Sequence, residues 1–201
     1  MKLEYSRELA ILIQLPGVFK TSAVLGKAKI HPRRFYAMVS LGILVKVSRG
    51  TYKLASRPEL ANPDLVTIAV RVPKGVVCLV SALSYHEITT QIPREVCVAL
   101  PQGAEMPRVD HPPVRIFRFS KQALSSGLET HKIDGVPVKI FSPEKTLADC
   151  FKFRNTVGLD TAMEALRLYL RRKNRNIGKL LEYSRICRVQ NVMRPYLESM
   201  L

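Results

Sequence analysis

The chain has 201 residues, 47% of them hydrophobic, and a formal charge of +16 from 32 Lys and Arg against 16 Asp and Glu. That apolar fraction is that of a folded globular protein, so disorder is not the default, and the length allows one large domain or a small one joined to a medium one. The charge points to a polyanionic partner, nucleic acid or an anionic membrane surface, and says nothing about fold.

The charge is not evenly spread. Residues 1–57 hold 11 Lys and Arg against 2 acids, 58–160 hold 12 against 11, and 161–201 hold 9 against 3. A neutral middle between two basic ends makes the N-terminal part the main electrostatic footprint and the C-terminal part a second one. Cys78, Cys97, Cys150 and Cys187 show no C-x-x-C spacing, and MKLEYSRELA does not read as a secretory leader, so buried reduced thiols in the cytoplasm are expected. No apolar run reaches the roughly 20 residues of a membrane span, and no membrane partner is expected.

In chain order, Leu9, Leu12 and Ile13 lie on one stripe of a helix over residues 6–15, which Pro16 and Gly17 stop. Val18 to Leu25 reads as a short second helix capped by Thr21 or Ser22, and an exposed helix start at Lys20, Thr21 and Ser22 suits a phosphate. The chain turns at Gly26. Then HPRRFYAMVSLGILVKVSRGTYKLA, residues 31–55, opens with proline at a first helical position and puts Phe35, Met38 and Val39 on one face. Arg33, Arg34, Tyr36, Ala37 and Ser40 face the other way or lie in the first turn. Gly42 is placed to end the helix in a left-handed conformation. Leu44 to Leu54 folds back around Ser48-Arg49-Gly50 as two strands.

A helix with arginines in its first turn, followed directly by a basic hairpin, describes a winged helix-turn-helix. Such a helix enters a DNA major groove and the hairpin lies along phosphates. The expected DNA contacts are therefore Arg33, Arg34, Tyr36, Ala37 and Ser40 on the recognition helix. Lys20, Thr21 and Ser22 belong to the preceding helix start, and Lys46, Ser48, Arg49, Thr51 and Lys53 to the wing. The alternative is a helix and hairpin whose surface is basic without such a role.

SRPELANP, residues 56–63, is the expected boundary, giving a DNA-binding domain over 1–57 and a larger one over 58–201. The larger domain should be mixed α+β, a small antiparallel sheet flanked by helices. Asp64 caps a helix to Val70, and the apolar run from Val76 passes into a helical Ser81–Ile88. Glu95–Leu100 and Val114–Phe119 read as strands, the latter with Arg115 and Arg118 outward. Glu129–Ile133 and Val136–Phe141 form a hairpin about Asp134-Gly135, its second strand at a sheet edge because Pro137 cannot donate to a ladder. Ser142-Pro143-Glu144 starts a helix that packs through Leu147, Ala148, Cys150 and Phe151. From Asp160 an amphipathic helix turns Ala162, Met163, Leu166 and Leu170 to one face. Arg171, Arg172, Lys173 and Arg175 then make a second basic patch, and the rest is helical to Leu201 with a bend at Pro195.

Catalytic signatures fail on inspection. His86-Glu87 resembles the start of a zinc-protease helix, but position 90 is Thr90. A nuclease needs convergent carboxylates for Mg²⁺. The only set, Asp134, Glu144 and Asp149 with Lys145, is already explained by a turn, a helix start and a helical ion pair. No catalytic residue, metal site or cofactor is assigned. A DNA-targeted nuclease and a ligand-responsive repressor are the alternatives.

The order of a winged helix ending in SRGTYKLA, then VVCLVSALSYHEITTQIPREVCVALP, VRIFRFS and THKIDGVPVKIFSPEKTLADCFKFRNTVGLDTAMEALR, resembles the AbiEi family of antitoxins over nearly the whole chain. The resemblance implies a regulator of a bacterial toxin–antitoxin and abortive-infection operon. Its winged helix would bind inverted repeats in double-stranded DNA of its own promoter and repress it. Its larger domain would oppose a nucleotidyltransferase toxin, often without a stable complex. The family's DNA contacts carry over onto Arg33, Arg34, Lys46 and Arg49.

Overall fold

The computed structural model describes residues 4–200; the first three residues and Leu201, within the ranges expected for the two domains, lie outside them. The chain divides into two compact units. The first takes the described residues to Pro73 together with Val109–Pro112 and Lys132–Val138, and the second takes the rest.

In the first unit, helix α1 (Ser6–Gln14) is followed by a two-residue strand β1 (Phe19–Lys20) and a single π-helical turn (Ala23–Lys27). Helix α2 (Pro32–Ser40) and strands β2 (Leu44–Ser48) and β3 (Thr51–Leu54) come next, then helix α3 (Pro63–Arg71). The short second helix expected over Val18–Leu25 is thus corrected. Phe19 pairs with Tyr52 and Lys20 with Thr51, which pulls that stretch into the antiparallel sheet of order β1-β3-β2. Nor do Thr21 and Ser22 cap: no side-chain bond closes the start of the π turn, and Thr21 Oγ1 donates to the Gly50 carbonyl at 3.3 Å.

The reason α2 stops where it does is local. Gly42 takes φ +69, Gly42 N–H donates to Val39 O, and Ile43 N–H reaches back to Met38 O at 2.9 Å. That pair of bonds is the Schellman arrangement, which satisfies the last helical carbonyls. The core of this unit gathers Leu12, Phe19, Val24, Ile30, Phe35, Met38, Leu44, Tyr52 and Leu54. Phe35 stands edge-on to Tyr52 with ring centres 5.0 Å apart. Helix α3 belongs to this unit, so the unit runs past the boundary read at 57/58.

The second unit is built on a sheet of order β6-β5-β4-β8-β7. Its strands are β4 (Val76–Val77), β5 (Val96–Pro101), β6 (Val114–Phe119), β7 (Leu128–Ile133) and β8 (Val136–Phe141), of which the hairpin end over Lys132–Val138 is counted with the first unit. Parallel β5–β6 and β4–β8 pairs make it mixed, where an antiparallel sheet was expected. The β7–β8 hairpin forms with Asp134 at φ +49 and Gly135 at φ +78, the mirror-image turn that Asp-Gly favours. Strand β8 is not at the edge, because it lies between β4 and β7. Pro137 is still tolerated: β4 is two residues long and pairs with β8 only at Ile140. The edge strand on that side is β7.

Helices α4 (Leu79–Tyr85), α5 (Lys121–Ser125), α6 (Pro143–Lys152), α7 (Arg154–Val157), α8 (Leu159–Leu170), α9 (Ile177–Ile186) and α10 (Gln190–Met200) complete the unit. Helix α6 is central, packing on α4, α8 and α9. The buried face of α8 is Ala162, Ala165, Leu166 and Tyr169, rotated from the expected one; Met163 and Leu170 are only half-buried. The final helical stretch breaks at Arg188, which takes φ +58, while Pro195 sits inside α10. The architecture is mixed α+β with small sheets and many helices. No helix among the described residues is long and apolar enough to cross a membrane.

Candidate nucleic-acid interface

Helix α2 begins with His31 as cap, its Nδ1 accepting the Arg33 N–H at 3.2 Å, and Pro32 at the first helical position. Phe35 and Met38 are fully buried and pull that face inward, which leaves Arg33 and Ser40 exposed and Tyr36 53% exposed. Ala37 is half-buried and packs on the core.

Arg34, an expected DNA contact, is different. Its guanidinium pairs with both oxygens of Glu8, donates to the Glu4 carbonyl at 2.6 Å and lies 4.9 Å over the Tyr5 ring. The Arg34 hydrogen bond holds the Glu8 carboxyl below its usual range, against the opposing effect of burial. Arg34 therefore ties α2 to α1.

In the hairpin, a bulge between Lys46 and Ser48 shifts the register, and Gly50 at φ +68 closes the tip. Arg49 is 82% exposed and sits 3.7 Å from Asp110; Lys46 is exposed as well. Lys53 is half-buried and donates to the Pro58 carbonyl at 3.1 Å. Ser48 is half-buried, and Thr51 is completely buried, so its side chain cannot meet a partner as expected. Of the earlier stretch, Lys20 and Thr21 are half-buried and Ser22 is exposed. Two arginines were missed. Arg57 donates to the carbonyls of Ile13 and Leu15 at 2.9 and 2.8 Å, closing the end of α1. Arg71, at the end of α3, donates to the Arg49 carbonyl at 3.0 Å. Both lie outside the helix-hairpin pattern; only their contacts across the fold reveal them.

The second basic patch is partly structural. Arg172 donates to the carbonyls of His86 and Glu87, and Arg175 to that of Arg172 at 3.2 Å, whereas Arg171 and Lys173 stand exposed.

The carboxylates weighed for metal chemistry are occupied. Every residue of α6 from Glu144 to Phe151 is buried, so its polar groups must find partners inside the protein. Lys145 Nζ donates to Asp149 Oδ2 at 2.5 Å and lies 4.3 and 5.0 Å from the ring centres of Phe141 and Phe119. Asp149 Oδ1 accepts from the Cys187 thiol at 3.2 Å. Burial pushes the Asp149 carboxyl above its usual range although Lys145 pulls the other way, and burial lifts the Cys187 thiol to about 12. Glu144 Oε1 accepts the Tyr169 hydroxyl at 2.7 Å, and that hydroxyl accepts the Asn176 N–H at 2.6 Å. Asp134 takes the N–H groups of Ala61 and Asn62. No group of three or more metal-ligating side chains occurs among the described residues. His86 is a packing group, 2.8 Å from the Phe141 carbonyl through Nε2, and burial, the largest influence on it, pushes its imidazole below the usual histidine range. All four cysteines are buried and free.

In the second unit a cavity of about 610 Å³ is lined by Gln91, Ile92, Arg94, Glu95, Arg115, Phe117 and Thr156, among others. Arg115 stands 3.5 Å from Glu95 there.

No protein-family model and no curated protein matches the chain. A solved structure is similar to it, that of the RV2827C protein from Mycobacterium tuberculosis, with a TM-score of 0.53 and 15% sequence identity over 98% of this chain and 81% of the other. At that identity what the two chains share is the fold, a mixed α+β architecture.

Proposed function

We propose that this chain is a DNA-binding transcriptional regulator whose N-terminal unit works as a winged helix: α2 the recognition helix, β2–β3 the wing. The observation that carries the reading is the exposed first turn of α2, with Arg33, followed at once by a hairpin whose tip arginine, Arg49, is 82% exposed. A helix of this kind reads base edges through its N-terminal residues while a basic hairpin neutralises phosphate. The AbiEi resemblance makes the wider function an antitoxin and autorepressor that opposes a nucleotidyltransferase toxin and catalyses nothing itself. The engagement of Glu144 and Asp149 with Tyr169, Lys145 and Cys187 supports that last point over a nuclease.

The experiment is fluorescence anisotropy of the purified protein on duplex DNA carrying its own upstream region, against a scrambled duplex, from about 50 to 200 mM salt. Tighter binding to the upstream duplex, with log K falling linearly against log salt, is the expected result. Absence of binding to either duplex at the lowest salt overturns the reading. The cavity lined by Arg94 and Arg115 favours a second reading, a regulator answering to a small anionic ligand. Under it, Arg94→Ala would leave DNA affinity intact and abolish its response to that ligand.

A further inference from the structure

The cavity of about 610 Å³ in the second unit lies where the parallel strands β5 and β6 begin, walled also by the loop before β5 and by residues of α7 and α8. In that strand pair Cys97 stands beside Arg115 and Ala99 beside Phe117, and side chains two apart leave one face of a sheet. Ala99 and Phe117 are core residues, so Arg115 projects from the face that carries the core. Its guanidinium is set by two neighbours, Glu95 at 3.5 Å and the Phe117 ring, whose centre is 5.5 Å away. An inward charge at a sheet edge guards against stray pairing, and β6 is an edge strand, which accounts for Arg115. It does not account for Arg94. That arginine lines the same cavity from the loop and makes no hydrogen bond or ion pair with any described residue.

The charges in the lining decide what fits. They are Arg94, Arg115 and Glu95, two cations and one acid, which leaves one positive charge in excess. Glu95 neutralises Arg115 in part and repels a second negative charge brought beside it. A monoanion is therefore matched, and a phosphate dianion is not. The rest of the wall favours an apolar body: Val80, Val157 and Phe117 line it, and Ile92 stands 90% exposed beside Arg94, an apolar surface that a ligand would take out of water. A few polar groups among apolar ones, in a space of this size, is the usual make-up of a small-molecule site.

We propose that this cavity binds a small monocarboxylate with an apolar body, the carboxylate on Arg94 and the body against Ile92 and Val157, and that Glu95 sets the preference for one negative charge over two. The inference rests on the ligand-responsive reading of the chain and gives the ligand a chemical class.

Phenylpropanoate, its neutral counterpart phenylpropanamide and inorganic phosphate are the probes, each titrated into the full chain at constant ionic strength and roughly pH 8, where phosphate is a dianion. Phenylpropanoate should shift the backbone N–H signals of Arg94, Cys97, Arg115 and Thr156 saturably in NMR, and the other two should bind at least about tenfold more weakly. Arg94→Gln should weaken phenylpropanoate about tenfold and leave phenylpropanamide unchanged, a difference that mere loosening of the cavity would not produce. Glu95→Gln should admit phosphate. Equal binding of phenylpropanoate and phenylpropanamide overturns the proposal, as does saturable binding of none of the three. Phosphate preferred by the unsubstituted chain overturns the carboxylate class while the ligand-responsive reading stands. Phenylpropanoate that binds here but leaves duplex affinity unchanged in anisotropy keeps the site and overturns the ligand-responsive reading instead.

Discussion

Arg49 and Lys145 carry the same charge into opposite surroundings. Arg49 is 82% exposed at a hairpin tip, 3.7 Å from an acid that is itself 63% exposed; Lys145 is completely buried, with Asp149 at 2.5 Å and two phenyl faces around it. Water solvates the first charge, so its pair with Asp110 adds little to stability and the guanidinium stays available to a polyanion. The second charge is solvated wholly by the protein. Removing each should therefore damage different properties, and the largest effect belongs to the interior.

Lys145→Ala leaves Asp149 buried without its cation, and the expected loss is about 3–5 kcal/mol of stability in urea unfolding. Lys145→Met with Asp149→Leu removes both charges and should cost much less. The pH dependence has a definite sign. Burial raises the folded pKa of Asp149 above its unfolded value, so the folded state holds more protons in the window between the two. Its contribution is present below the unfolded pKa and is lost as pH rises through the folded one. Without Lys145 the carboxyl is raised further, so the deficit of Lys145→Ala should be largest near neutral pH and shrink towards pH 4. A deficit independent of pH would mean that lost packing, not the stranded carboxylate, sets the cost.

Next in size is Tyr169→Phe. Its hydroxyl joins three helices, donating to Glu144 on α6 and accepting from Asn176, the residue that caps α9. Deleting it leaves the nearly buried Glu144 short of a donor and should cost about 1–3 kcal/mol, read as a lower urea midpoint at unchanged slope. DNA affinity should not move.

How much of this was legible beforehand depends on how local the cause is. The end of α2 at Gly42, the Asp134-Gly135 hairpin and the Ser142-Pro143 helix start are each decided by a few neighbouring residues, and they stand where the sequence put them. Strand β1 was not legible, since nothing in Phe19-Lys20 announces that Tyr52 and Thr51 will pair with it. That Pro137 could stand inside the sheet depended on a two-residue β4 that meets β8 only at Ile140, and the buried face of α8 includes Tyr169, whose hydroxyl reaches Glu144 on another helix. Lys145 and Asp149 read as an ordinary helical ion pair; their complete burial comes from Phe119, Phe141 and Cys187, all distant in the chain or on other elements. Among the arginines, Arg33 and Arg34 are adjacent and alike in sequence. Only the position of Glu8 separates them.

On the surface, Arg33→Ala should cost roughly 1–3 kcal/mol of binding to the upstream duplex and relax preference at one base position, in a panel of single-base variants. Arg49→Ala should weaken all sequences alike and lower the salt slope by about 0.9. If Arg33→Ala weakened every duplex equally, Arg33 would be a phosphate contact and the base-reading side of α2 would lie elsewhere.

The smallest effect, and the sharpest use of the contrast, is Arg34→Ala. Arg34 sits beside Arg33 but spends its donors on Glu8 and the Glu4 carbonyl, so the thermal midpoint should fall slightly while DNA affinity and salt slope stay close to those of the unsubstituted chain. The pH signature is opposite to that of Asp149. The Arg34 hydrogen bond depresses the folded pKa of Glu8, so this contribution is present above the unfolded carboxyl pKa and is lost as pH falls through the folded one. The difference in midpoint between Arg34→Ala and the unsubstituted protein should therefore vanish under acid conditions, just where the deficit of Lys145→Ala is also smallest, but for the reverse reason: Glu8 ceases to need its cation, whereas Asp149 regains the proton its surroundings prefer. A salt slope lowered by about 0.9 in Arg34→Ala would return Arg34 to the DNA face and break the distinction between a cation that joins two helices and one left for a partner.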